Sequence, residues 1–124
     1  MTNKPVGLLW DSVSNNSGDI AIGMVLQRFC ETRQIPHRVV DPFNFHPRDY
    51  STFIIGGGQI LRTYYDFFYH SFNVPGPHIL NSVGIHMPDN LDFLREYRLV
   101  SVRSKAEKAE IARAYPDLEI EVHP

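Results

Sequence analysis

Cysteine is almost missing: Cys30 is the only one in 124 residues. No intrachain disulfide can form, and a reducing compartment is expected. With no second cysteine and no His-x-x-x-His pair, no metal site is expected. No stretch of about 18 residues lacks polar groups, so a transmembrane helix is excluded. Basic charge is not in excess: 12 Lys and Arg against 14 Asp and Glu leave a net charge of −2. A duplex-DNA binder needs a basic footprint, so no nucleic-acid partner is expected. Internal repeats and low-complexity tracts are absent. So are the spaced-glycine dinucleotide fingerprint and a Gly-Lys-Ser/Thr phosphate loop, and no cofactor is expected. Residues 1–5 lead into an apolar run with no signal-peptide core, which points to the cytoplasm.

What is present suffices for one core. Hydrophobic residues make up 43% and aromatics 12%, which excludes a disordered chain. A single domain over residues 1–124 would bury about two thirds of its unfolded surface. Apolar runs at 6–10, 38–40, 52–55, 78–83, 98–103 and 118–122 predict strands. Residues 18–33, 59–72 and 104–114 predict helices, and Ser104 and Glu107 are spaced as a capping box. Residues 91–97 predict a helical turn or two, and 84–90 a loop. This alternation predicts an α/β domain of three layers, Rossmann-like or flavodoxin-like, with a mostly parallel sheet of five or six strands. The connector at 41–51 is short for a crossover. If it passes over the first strand, the order becomes 2-1-3-4-5 with the sixth strand outermost. Ligands would then bind where the order reverses, beyond the carboxyl ends.

Several clusters fall near that edge, each with two readings. Asn16, Ser17, Gly18 and Asp19 separate the first strand from the first helix. Free N–H groups there can hold an anion or a hydroxyl, or the segment is a plain capped turn. Asp19 would repel an anion, so it suits a cap or a hydroxyl acceptor. Gly56, Gly57, Gly58 and Gln59 follow a buried strand. Either the backbone approaches a ligand closely or the turn is merely tight. Valine at Gly57 is expected to do far more damage than alanine at Gly7. Arg103 ends the fifth strand, where it grips a carboxylate or phosphate or else pairs with Glu107. His86, in the loop after the fourth strand, suits a polar ligand or general acid–base role, or is simply a solvated loop histidine. His70 and His78 are assigned to packing. Tyr64, Tyr65, Phe67, Phe68, Tyr69 and Phe72 place six aromatics in nine residues. They form core, or else a surface for a second domain, a sugar or a two-fold homodimer.

Taken together, Asn16-Ser17-Gly18-Asp19-Ile20-Ala21-Ile22, Ile55-Gly56-Gly57-Gly58, Gly84 and Val100-Ser101-Val102-Arg103 resemble the N-terminal half of the polysaccharide pyruvyl transferase family, over residues 6–122. The resemblance implies one half of a glycosyltransferase-B-like fold with its site in the cleft between two halves. It implies transfer of pyruvate from phosphoenolpyruvate to a saccharide as a ketal, on a lipid-linked or nucleotide-linked acceptor, without a metal. Asn16, Ser17, Gly18, Gly56, Gly57, Gly58, Gln59 and Arg103 would bind substrate, and His86 and Asp19 would move protons. The family usually carries an acidic residue after the strand arginine, where this chain has Ser104. Its second domain would begin where this sequence stops, at Pro124, so these residues amount to half an active site, expected to be inactive alone. A non-catalytic sugar- or anion-binding module and an unrelated flavin- or nucleotide-binding domain are the alternatives.

Overall fold

The structure, a computed structural model, describes residues 4–10, 17–56, 61–62, 72–86 and 91–123. Its strands are β1 (Val6–Leu9), β2 (His37–Val39), β3 (Phe53–Gly56), β4 (Leu61–Arg62), β5 (Ile79–Val83), β6 (Ile85–His86), β7 (Leu99–Val102) and β8 (Glu121–Val122). The helices are α1 (Ser17–Thr32) and α2 (Lys105–Ala114), with 3-10 turns at Pro47–Asp49 and Asp92–Glu96. Six strands form one parallel sheet in the order β2-β1-β3-β5-β7-β8, and β4 and β6 form a separate parallel pair. The fold is therefore α/β with a Rossmann-like three-layer arrangement. The order is the expected one, because the short connector after β2 does cross β1.

Handedness explains the layers. Crossovers between parallel strands are right-handed. The chain steps one way from β1 to β2 and the opposite way at every later crossover. The first connection, α1, therefore lies on one face of the sheet and the later ones on the other. Leu8, Trp10, Leu26 and Cys30 form the core beneath α1. The opposite core joins Leu9, Phe53, Ile55, Leu80 and Val102 to Phe72, Leu94 and Ile111 from the later connections. Phe45 and Tyr50, from the short connector, pack against that second core. Ser104 caps α2 as expected, its Oγ accepting the Glu107 N–H at 3.2 Å.

Four local expectations are corrected. Residues 61–62 form β4, inside the stretch predicted as helix, and residues 85–86 form β6, inside the predicted loop. Each strand exists only through the other, a partner far along the chain that local periodicity does not reveal. The sixth predicted strand shrinks to β8, residues 121–122. Gly7 is not a tolerant position either. A Cβ there would stand 2.7 Å from the Phe53 ring.

His78 is packed, as assigned, and its surroundings hold it neutral. Its Nδ1 accepts the Phe53 N–H at 3.1 Å, so Nε2–H donates to the Pro75 carbonyl at 3.0 Å. The Phe53 and Tyr97 rings meet it edge-on. Burial lowers its pKa below the ordinary 6.5; the Pro75 carbonyl opposes the shift and the Arg98 charge adds to it. Because the folded value is the lower one, the stabilisation is complete above 6.5. It is lost as pH falls from there through the folded value. Urea midpoints are expected to fall between about pH 7.5 and 5.5. His78→Gln should lower the midpoint at neutral pH and flatten this dependence. An unchanged slope in the variant would remove His78 as its cause.

Candidate functional site

The order of the sheet reverses beside β1, so β1 and β3 are neighbours whose connections leave on opposite faces. A crevice at the carboxyl ends is the usual ligand position in such sheets. Ser17, Gly18 and Asp19 form the first turn of α1, after β1, and Gly56 is the last residue of β3. They lie at one edge of the sheet. Asn16, Gly57, Gly58 and Gln59 lie outside the described residues. So do His70 and the aromatics Tyr64, Tyr65, Phe67, Phe68 and Tyr69, and with them the dimer expectation. Phe72 is fully buried in the core.

Register places Gly56 and Asn81 abreast at this edge, with Trp10 just past the end of β1. Leu9 pairs with Ile55 and Gly56 with Asn81, so Trp10 follows the last β1 residue paired with β3. Gly56 is used for packing. A Cβ there would lie 3.2 Å from Leu26 Cδ1 and 3.4 Å from the Asn81 carbonyl, so its missing side chain lets α1 close onto the sheet. Trp10 is treated similarly from the helix side: its indole lies against Gly23. The indole Nε1–H is buried and finds no acceptor among the described residues.

Next to this row β5 is bulged. Its pairing with β7 shifts between Leu80 and Val83, so Asn81 and Ser82 together face Ser101. Ser82 has φ 53°, a left-handed conformation that costs a serine about 1–3 kcal/mol. Ser101 is fully buried and repairs the interrupted ladder. Its hydroxyl accepts the Ser82 N–H at 2.8 Å and donates to the Leu80 carbonyl at 3.1 Å. The extra residue turns Val83 into the core. Gly84 then separates β5 from β6, which therefore begins at the carboxyl edge. β6 pairs with β4, setting Leu61 beside Ile85 and Arg62 beside His86. Asn81, Ser82 and Arg62 escaped the sequence reading. Two small polar residues within an apolar strand were a signal for the bulge, whereas nothing local marked Arg62.

Arg103 follows β7 at the same edge and is engaged. Its Nε lies 3.4 Å from Glu107 Oε1, and the Ser104 hydroxyl donates to that same oxygen at 3.0 Å. The pairing reading of Arg103 describes this structure. With 43% of its side chain exposed, the pair is of the weak surface kind and exchanges readily. Cys30 is no nucleophile: it is fully buried, and burial, with Glu31 nearby, pushes its thiol pKa up. A cleft of about 450 Å³ opens at the opposite edge, near the amino ends of β7 and β8, beside Arg95, Arg98, Asp117 and Glu119. Arg95 there is already bridged to Asp117 at 3.0 Å and Asp92 at 3.4 Å.

Among the described residues no helix is long and apolar enough to cross a membrane. Comparison with protein-family models, curated proteins and solved structures finds no match.

Proposed function

We propose that this domain is the phosphoenolpyruvate-binding half of a pyruvyl transferase acting on a saccharide. One observation carries the reading. The described parts of the motifs in the resemblance either close β3 and β7, as Ile55-Gly56 and Val100-Ser101-Val102 do, or come after the carboxyl ends of β1, β5 and β7, as Ser17–Ile22, Gly84 and Arg103 do, on the edge where the strand order reverses. The chemistry suits these residues. Phosphoenolpyruvate brings a carboxylate and a phosphate, which call for a cation and free N–H donors. The first turn of α1 offers the donors, and Arg103 offers the cation once the ligand displaces Glu107. Ketal formation makes two C–O bonds at the enol carbon and breaks its bond to phosphate. One hydroxyl proton is balanced by protonation of the methylene, and the other leaves with the phosphate. His86 is the proton donor in this reading and Asp19 the acceptor from the sugar hydroxyl. The second half of the cleft would exclude water and strengthen these interactions.

Binding without turnover is expected of these 124 residues. Titration with phosphoenolpyruvate, followed by ³¹P and amide NMR, should shift the amides of residues 17–19 and 84–86. It should release no phosphate in the presence of a saccharide. Preferential binding of FMN or a nucleotide over phosphoenolpyruvate would replace this reading with the small cofactor-binding domain. Phosphate release with ketal formation would overturn the half-site.

A further inference from the structure

We propose that two copies of this chain pair across the sheet face that carries α1, each α1 lying in an open groove beside α1 of the other copy. This pairing goes beyond the substrate reading and does not rest on it. Leu8, Ile54, Ile79 and Leu99 are in register across β1, β3, β5 and β7, so they share one side of the sheet. α1 packs on β1 and β2, and of this row Leu8 and Ile54 join the core beneath it. Among the described residues, Ile79 and Leu99 join neither core and stay half-buried, because the later connections run over the opposite face. α1 is itself apolar where it borders this floor. Gly23 lies over Trp10, after β1, and Leu26 over Gly56 of β3, so the helix turns towards β5 through Ile22, Phe29 and Val25. Val25 is 68% exposed, Met24 62% and Phe29 43%. An apolar ridge and an apolar groove therefore lie side by side.

Such a surface is complementary to itself. A two-fold axis parallel to the strands, set between ridge and groove, seats each α1 over β5 and β7 of the other copy. Helices packed side by side lie about 8–10 Å apart. Two strand spacings, the step from β1 to β5, come to about the same distance. α1 has 16 residues and so spans about 24 Å. Two such helices cover on the order of 500 Å² in projection and more along their corrugated surface, near the roughly 800 Å² per partner of a standard interface. Charge matches shape at one height. Glu121 pairs with Ser101, which faces Asn81 across the bulge, and Asn81 pairs with Gly56. Leu26 stands at that height, and Arg28, about 3 Å further along α1, falls between the levels of Glu121 and Glu119. The axis preserves these heights, so each Arg28 meets Glu119 and Glu121 of the other copy. Arg28 and Glu119 are exposed and without a partner among the described residues, while Glu121 is held by the exposed His123 at 2.7 Å. The other charges nearby, Glu31 on α1 and Arg98 in the cleft beside Glu119, are of opposite sign and offset each other.

The test is sedimentation equilibrium of the 124-residue chain. A reversible dimer in the micromolar range is expected. Each substitution enters a two-fold interface twice, so Val25→Asn and Arg28→Glu should each weaken the dimer about tenfold or more. The double variant Glu119→Arg/Glu121→Arg should do the same. Arg113→Glu, in α2 on the opposite layer, should leave the Kd within about twofold. Mixing Arg28→Glu with the double variant should restore a heterodimer of near wild-type affinity, since every ridge then meets a groove of opposite charge. A wild type that stays monomeric at the highest concentration overturns the pairing. So does a dimer indifferent to Val25→Asn and Arg28→Glu, or a mixture that associates no better than its two components. Should the double variant not fold, Val25→Asn and Arg28→Glu, both at exposed positions, decide the matter.

Discussion

Phe53→Ala is expected to cost about 3–5 kcal/mol of folding stability, a large part of what a domain of this size has. Phe53 is fully buried at the start of β3. Its ring centroid lies 5.6 Å from that of Phe45, 5.0 Å from that of Tyr50 and 5.0 Å from that of His78. Phe45 and Tyr50 come from the short connector between β2 and β3. Phe53 therefore holds down the segment that crosses β1 and sets the strand order. Gly7 leaves room for the ring from the neighbouring strand. Alone, Gly7→Ala should destabilise, because its methyl would meet the ring edge. In the Phe53→Ala background that methyl enters vacated space, so the two losses should fall short of additivity by about 0.5–3 kcal/mol. Urea denaturation of the two single variants and the double variant measures this. Strict additivity would show that the rings do not rest on Gly7.

Gly23→Ala is expected to destabilise by about 1–3 kcal/mol, against the local rule. Alanine in a helix interior normally gains about 1 kcal/mol over glycine. Here the added Cβ would fall 2.2 Å from Trp10 Cε2 and 2.4 Å from Cζ2. Backbone holds one partner and a nearly buried indole the other, so the ring has to move. Trp10 is the only tryptophan, which makes its fluorescence a direct reporter. The variant should unfold at lower urea and emit at longer wavelength in its folded state. Trp10→Leu should recover part of the loss in the Gly23→Ala background. A variant as stable as the wild type with unchanged emission would exclude this packing of α1.

Much of the architecture was legible because it is written in local patterns. Continuous apolar runs marked the buried parallel strands, and the Ser104–Glu107 spacing marked the start of α2. The short connector led to the strand order on the condition that it passes over the first strand, which it does. The candidate edge follows from that order, since the reversal beside β1 is a property of topology. The histidine assignment was local too: His78 adjoins an apolar strand next to Pro77 and Gly76, and it packs.

Local pattern alone was enough for the class of fold, the succession of its main strands and helices, and the edge on which its unusual loops fall. Hydrophobic periodicity and turn chemistry act over a few residues, and these features need no more. What the residues near that edge meet came from packing in three dimensions. Gly56 packs against Leu26, Gly23 accommodates Trp10, and Gly7 lies under Phe53. Arg103 turns to Glu107, while Arg62 comes to stand beside His86. The bulge at Ser82 depends on a hydroxyl from β7. These are contacts between segments distant in the chain, fixed by strand register and close packing, and a one-dimensional pattern does not encode which partner arrives.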